Sequence, residues 1–249
     1  MGVPAHVLDV LRRSAVDADG LTLPGQLDRA DYMAVNKFLE TSGAKYNRKL
    51  GKHVFNGPAA RDKITGLLDS GTVVDDKKTY NAFYTPADVA ERLADLADLK
   101  GGMFCLEPSA GEGAIATVLR DRVCVVTCVE INPQTARSLE RQGFETIPQD
   151  FLTVAPTPKL QFDRVVMNPP FAGNQDIAHV THALKFLKPG GKLVAVMGKG
   201  FTFGEAKPRR EFRQLMADLG GRILCDLPAG TFKESGTDVA TVVVGITKP

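Results

Sequence analysis

The chain lacks any apolar run long enough to cross a bilayer, and its first residues, MGVPAHVLDVLRR, lack the apolar core of a secretion signal. A myristoylation signal is missing as well, because His6 stands where Ser or Thr is needed. These absences predict a cytoplasmic protein without membrane contact. Paired cysteines are also absent. Cys105, Cys124, Cys128 and Cys225 all lie in apolar, strand-like segments with no CxxC spacing, which predicts buried free thiols rather than disulfides or a metal cluster. The four histidines show no ligand spacing with a carboxylate, so no metal is implied. A strong charge of either sign is lacking too: 31 basic and 29 acidic residues leave +2, which neither demands nor excludes a polyanionic partner. What is present, 43% hydrophobic and 24% charged residues over 249 positions, suits one large globular domain or one domain with a small appendage.

Two textures divide the chain near residue 80. The first part carries helical periodicity in HVLDVLRRSAV (6–16) and DRADYMAVNKFLETSG (28–43), where Asp28 or Asp31 can cap the start and Gly43 the end. GPAARDKITGLLDSG (57–71) reads as a further short helix, with GKHVF (51–55) and GTVVD (71–75) as short strands. Residues 1–80 are therefore expected to form a small, mainly helical or winged-helix-like module. Beyond it strands are expected at 103–107, 124–130, 144–148, 163–168, 192–198, 222–227 and 239–247, separated mostly by segments of helical length. That alternation predicts an α/β, Rossmann-like doubly wound seven-stranded mixed sheet over residues 81–249, with an antiparallel last strand.

In such sheets ligands bind outside the carboxyl ends of the strands. The first strand ends at Glu107 and runs through Pro108, Ser109, Ala110, Gly111 and Gly113 into a helix, a turn whose glycines admit close backbone approach. The second ends in Glu130-Ile131, about twenty residues beyond the glycine loop, where an acid can accept from both ribose hydroxyls of a nucleoside. The third ends in Asp150-Phe151, placed to accept from an adenine amine and to pack on its face, although Asp150 serves equally as a helix cap. The fourth runs from VVM into Asn168-Pro169-Pro170-Phe171, where Asn-Pro alone would signal a turn.

EPSAGEGAI, CVEINP, QDF and NPPF, in this order, resemble the class I S-adenosylmethionine-dependent methyltransferases, specifically the group that methylates adenine amines in DNA. The resemblance covers about residues 81–249. It implies S-adenosylmethionine as cofactor, held by Phe83, Tyr84, Thr85 and Pro86 of the FYTP segment and by Glu107, Pro108, Ser109, Ala110, Gly111, Gly113, Glu130, Ile131, Asp150, Phe151 and Asn168. Locally, Thr85 can also cap a helix beginning at Pro86, with Asp88 completing a capping box. The resemblance further implies that Asn168 and the Pro169 carbonyl accept the two N–H bonds of the target amine, with Pro170 stiffening the loop and Phe171 stacking on a flipped-out base.

Two basic stretches carry the candidate substrate contacts: Tyr46, Arg48, Lys49, Lys52 and His53 in residues 45–63, and Lys199, Lys207, Arg209 and Arg210 in residues 199–213. The C-terminal loop adds Lys233, Glu234 and Ser235 by resemblance to the adenine-facing loop of the same enzymes. A separate target-recognition domain is not expected after the last strand, and recognition is expected from residues 1–80, from 199–213, or from both. A short target site and an orphan enzyme of phage or mobile-element origin are the corresponding expectations. The partner expected is duplex DNA, with a base of structured RNA or a protein glutamine as alternative acceptors. A degenerate fold kept as a DNA-binding module is the remaining alternative, disfavoured by the intact acids and Asn168.

Overall fold

The structure is a computed structural model and describes residues 4–17, 20–55, 85–233 and 239–249. The helix expected at 57–71, the strand at 71–75, and Phe83, Tyr84, Glu234 and Ser235 lie outside the described residues. The chain divides into two compact units, Met1–Thr79 and Tyr80–Pro249.

In the smaller unit, helix α1 (Ala5–Arg12) buries Val7, Val10 and Leu11, an i, i+3, i+4 stripe. The helix expected as far as residue 16 stops sooner. Ser14 turns its hydroxyl back to the Val10 carbonyl, and Ala15–Val16 form strand β1 against β2 (Gly20–Thr22). Helix α2 (Arg29–Thr41) starts at Asp28, whose carboxylate accepts from the Asp31 backbone N–H at 2.8 Å, so Asp28 and not Asp31 is the cap. Strands β3 (Ala44–Asn47) and β4 (Lys52–Phe55) complete a four-stranded antiparallel sheet of order β1-β2-β4-β3. The unit thus carries a sheet beside its helices, built from strands too short for alternation to show in the sequence.

This sheet corrects part of the first basic stretch. His53 is fully buried; its Nε2 lies 2.8 Å from Asn36 Oδ1, and its Nδ1 has no partner among the described residues. Tyr46, opposite it, packs its ring at 5.1 Å, and Lys52 pairs with Asp17 at 2.7 Å. Arg48 and Lys49 stay exposed in the β3–β4 turn. Burial holds the His53 pKa below its ordinary 6.5, partly countered by Glu40. The unfolded chain then binds the extra proton first, so stability present above pH 6.5 is lost as the pH falls through that value. Acidification from pH 7.5 to 5.5 is expected to weaken amide-exchange protection across β4, as measured by hydrogen exchange; unchanged protection would contradict the burial argument.

The larger unit runs α3 (Ala87–Leu96), β5 (Phe104–Glu107), α4 (Ala114–Asp121), β6 (Val125–Val129), α5 (Pro133–Arg141), β7 (Glu145–Ile147), β8 (Phe162–Met167), α6 (Gln175–Ala183), β9 (Leu187–Gly198), α7 (Lys207–Asp218), β10 (Arg222–Asp226) and β11 (Thr241–Thr247). Its sheet has the order β10-β11-β9-β8-β5-β6-β7, and β11 is antiparallel to both neighbours while the pairs from β9 to β7 are parallel. The seven-stranded mixed sheet read from the sequence is present. β9 begins five residues earlier than expected, because the bulge between Phe162 and Arg164 lets Leu187 pair before the regular ladder resumes at Lys192.

Two hydrophobic clusters hold the unit: one with Leu106, Val165, Met167, Phe186 and Val242, the other with Leu93, Cys105, Ile115, Val166 and Val243. Adjacent residues of one strand fall into different clusters, as expected when both faces are covered. Chain order reverses between β5 and β8, and the crevice at their carboxyl ends is the switch point where such sheets bind ligands. Among the described residues no helix is long and apolar enough to cross a membrane.

Candidate cofactor and target-amine site

β5, β6 and β8 deliver three polar side chains to this edge: Glu107, Glu130 and Asn168. Glu107 is 1% exposed, and its Oε2 has no hydrogen-bond partner among the described residues. Burial pushes its pKa well above the ordinary 4.5, and the nearby Glu130 charge adds to that, against a hydrogen bond from the Ala116 backbone. The turn that follows bends through Gly111 and Gly113, both with positive φ. At Gly113 any side chain would also meet Leu139 at 2.8 Å, so glycine is needed for conformation and for packing.

Glu130 holds the turn. Its Oε2 accepts from the Gly111 N–H and its Oε1 from the Asn132 N–H, both at 2.8 Å. Ile131 beside it is 44% exposed, an apolar surface next to an acid. Asn132 caps α5 through the Gln134 N–H, a role the sequence reading did not assign.

Asp150 accepts from the Leu152 N–H at 2.9 Å, the cap role weighed against a ligand role. Phe151 departs from expectation. It is 2% exposed and packs its ring against His179, His182 and Phe186 in the core rather than lying open to a purine. Ser109 Oγ lies 3.3 Å from His179 Nδ1, and burial pushes that histidine down to about 4, so it is neutral near pH 7.

Asn168 is buried at the end of β8. Its Nδ2 donates to Thr85 Oγ1 at 3.0 Å, while its Oδ1 is buried with no partner among the described residues. The Thr85 helix cap is thereby corrected: Pro86 is the N-cap of α3, no side chain caps it, and the Thr85 hydroxyl serves Asn168 instead. Pro169 is buried and Pro170 half-buried. Phe171 is half-buried with its ring edge-on to the buried Phe232 at 5.8 Å. Phe171, Asn174, Asp176, Phe201, Arg209 and Val239 are among the walls of a cavity of about 340 Å³. Asp176, in the first turn of α6, ties that helix to the end of β9, accepting from the Gly198 N–H at 3.0 Å.

The second basic stretch is partly consumed internally. Arg209 Nε donates to Asn174 Oδ1 at 2.9 Å, so Arg209 braces the cavity wall and is not a free surface cation. Lys199 pairs with Asp226 at 2.6 Å. Lys207 and Arg210 are exposed, the latter donating to the Glu205 carbonyl, and Lys233 is exposed.

Residues 97–216 match the family model described as the methyltransferase small domain. This stretch, just under half of the chain, and the seven-stranded sheet around it have the class I methyltransferase fold. The methyltransferases of this class depend on S-adenosylmethionine, and the site fits that group chemically: it offers acidic acceptors for a diol, an exposed apolar side chain, and a buried carboxyl whose charge a cation would stabilise. Over an aligned length of 225 residues the chain is 25% identical to the "Defense against restriction protein B" of Escherichia phage P1, covering 74% of this chain and 10% of that protein. It is 37% identical over 73 residues to an rRNA adenine N-6-methyltransferase of Saccharopolyspora erythraea, covering 27% of this chain and 19% of that one. The chain therefore spans a small fraction of the length of these curated relatives. Among solved structures, a chain assigned as the modification subunit of a type I restriction enzyme from Vibrio vulnificus YJ016 superposes with a TM-score of 0.57 at 16% identity, over 97% of this chain and 60% of that one.

The buried Glu107 of the methyltransferase domain gives a stability prediction. A carboxyl that holds its proton more tightly when folded than when unfolded stabilises the fold at low pH, and that stability is lost as the pH rises through the folded value. Glu107→Gln keeps the shape without the charge. In the absence of cofactor, thermal melting of the variant is expected to match the wild type near pH 5 and to exceed it by a few degrees at pH 8, at about 2–4 °C per kcal/mol. A lower melting temperature at pH 8 would contradict the burial cost.

Proposed function

We propose that this chain transfers a methyl group from S-adenosylmethionine to the N6 amine of an adenine in DNA. The observation that carries the reading is the Asn168 carbonyl oxygen, buried without a partner among the described residues at the switch point, with two prolines fixing the backbone after it. An exocyclic amine is a poor nucleophile because its lone pair is delocalised into the ring. Accepting its two N–H bonds on Asn168 Oδ1 and the Pro169 carbonyl draws the nitrogen toward tetrahedral geometry and frees that lone pair. Proline suits the position because its φ is fixed and it has no N–H to compete.

S-adenosylmethionine held at Glu107, Glu130 and Ile131 would supply a sulfonium methyl for the amine to take, with the thioether as leaving group and the amine's proton going to water. Glu130 accepts from the ribose hydroxyls, Ile131 offers an apolar surface to the purine, and Glu107 takes up negative charge opposite the cationic cofactor. Asn168 orients the amine and stabilises positive charge growing on it.

Flipping a base from duplex DNA costs a few kcal/mol, and stacking on an aromatic side chain returns about 1–3 kcal/mol. Phe171, at the border of the cavity, is the stacking residue in this reading. Arg48 and Lys49 of the smaller unit, with Lys207, Arg210 and Lys233, are the exposed cations assigned to phosphates. A DNA acceptor is supported by the similarity to the phage P1 protein, whose name refers to restriction, over most of the chain. The rRNA adenine N-6-methyltransferase match, over a shorter stretch at higher identity, supports the N6 chemistry and favours adenine in RNA as the second reading.

The test is transfer of labelled methyl to duplex DNA, ribosomal RNA and whole-cell protein in parallel. Label in DNA is expected. Label in RNA alone moves the assignment to the second reading, and label in protein alone contradicts an adenine target.

A further inference from the structure

A side-chain amide has an accepting end and a donating end, and the proposed chemistry works with only one of them facing the target. With Asn168 Oδ1 toward the amine, two N–H bonds of the substrate find an acceptor in it and in the Pro169 carbonyl. With the amide turned over, Nδ2 would face the amine, donor against donor, and the lone pair would stay in the ring. Nothing in the sequence of the NPPF loop chooses between these two orientations.

The choice is made 83 residues upstream. Thr85 Oγ1 lies 3.0 Å from Asn168 Nδ2, and Oδ1 is the end left buried without a partner among the described residues. Thr85 precedes Pro86, which restricts it to extended backbone, and its hydroxyl makes no capping bond to α3. Accepting from Nδ2 also polarises the amide and makes Oδ1 a stronger acceptor. We propose that Thr85 is a positioning residue that fixes the Asn168 amide with its oxygen toward the target amine, in addition to any contact with cofactor. The inference rests on the reading of Asn168 as the amine's acceptor.

Thr85→Val removes the hydroxyl at nearly constant shape, and Thr85→Ser keeps it. In methyl transfer to duplex DNA, or to ribosomal RNA if DNA takes no label, Thr85→Val is expected to lower kcat by about 10-fold to 100-fold, with the KM for S-adenosylmethionine changed by less than about 3-fold. Thr85→Ser is expected to stay within about 3-fold of wild type. A readout independent of turnover comes from the Asn168 side-chain NH2 resonances, assigned by their loss in Asn168→Ala. One of these protons should be protected from solvent exchange in wild type and Thr85→Ser, and unprotected in Thr85→Val.

A wild-type kcat in Thr85→Val, a loss confined to the KM for S-adenosylmethionine, failure of serine to rescue, or unaltered NH2 protection in Thr85→Val would each overturn the inference while leaving the role of Asn168 intact. Full activity in Asn168→Ala would instead remove the reading beneath it, so the two failures are distinguishable.

Discussion

Asn168→Ala is expected to lower the rate of methyl transfer by about 10³-fold while changing the affinity for S-adenosylmethionine by only a few-fold. The asymmetry follows from where the side chain acts. In the proposed reading its oxygen meets the amine as charge develops on nitrogen, and removing one preorganised polar partner from such a site costs about 10²–10³-fold in rate. Loss of orientation adds to that, because the Pro169 carbonyl alone does not hold both N–H bonds. In the proposed reading cofactor affinity, read by equilibrium dialysis, rests on Glu107 and Glu130 at the ends of β5 and β6, which the substitution leaves alone. Equal losses of affinity and rate would place Asn168 on the cofactor rather than on the amine.

Glu130→Ala is expected to act in the opposite way. If the two ribose hydroxyls bond to this carboxylate as proposed, at about 1.5–3 kcal/mol each, cofactor affinity should fall by roughly 10²-fold to 10⁴-fold. The same carboxylate holds the half-buried Gly111 and the buried Asn132 backbone N–H groups, so losing it destabilises the glycine turn as well. Glu130→Gln keeps one acceptor and should fall between alanine and wild type. Titration calorimetry with S-adenosylhomocysteine reads the affinity, and thermal melting reads the stability. An unchanged affinity with a lowered melting temperature would confine Glu130 to holding the turn.

The sheet was legible because each buried strand is a short apolar run closed by a polar residue or glycine, a pattern that survives without any knowledge of packing. Parallel neighbours then bring their carboxyl ends to one edge by topology alone, which is why Glu107, Glu130 and Asn168 could be singled out from single strands. Facing was not legible. Phe151 follows an acid at a strand end just as Ile131 does, yet one ring fills the core and the other side chain lies open, a choice set by His182 and Phe186 in α6 and the turn after it. His53 and Arg209 sat in basic stretches that suggested surface contacts. One is buried by the pleat of β4, and the other is spent on Asn174. The Thr85 hydroxyl had a plausible local use as a cap, and its distant partner on β8 took precedence. Local patterns announce elements and their ends, whereas the partner of a polar side chain depends on long-range contacts.

The measurement that tests the central claim most directly is mass spectrometry of nucleosides from unmethylated duplex DNA incubated with the protein and S-adenosylmethionine. The account predicts N6-methyl-2′-deoxyadenosine with the wild type and essentially none with Asn168→Ala. A methylated product carrying the new carbon on a ring position rather than on an exocyclic amine, or the same yield from both proteins, would contradict it.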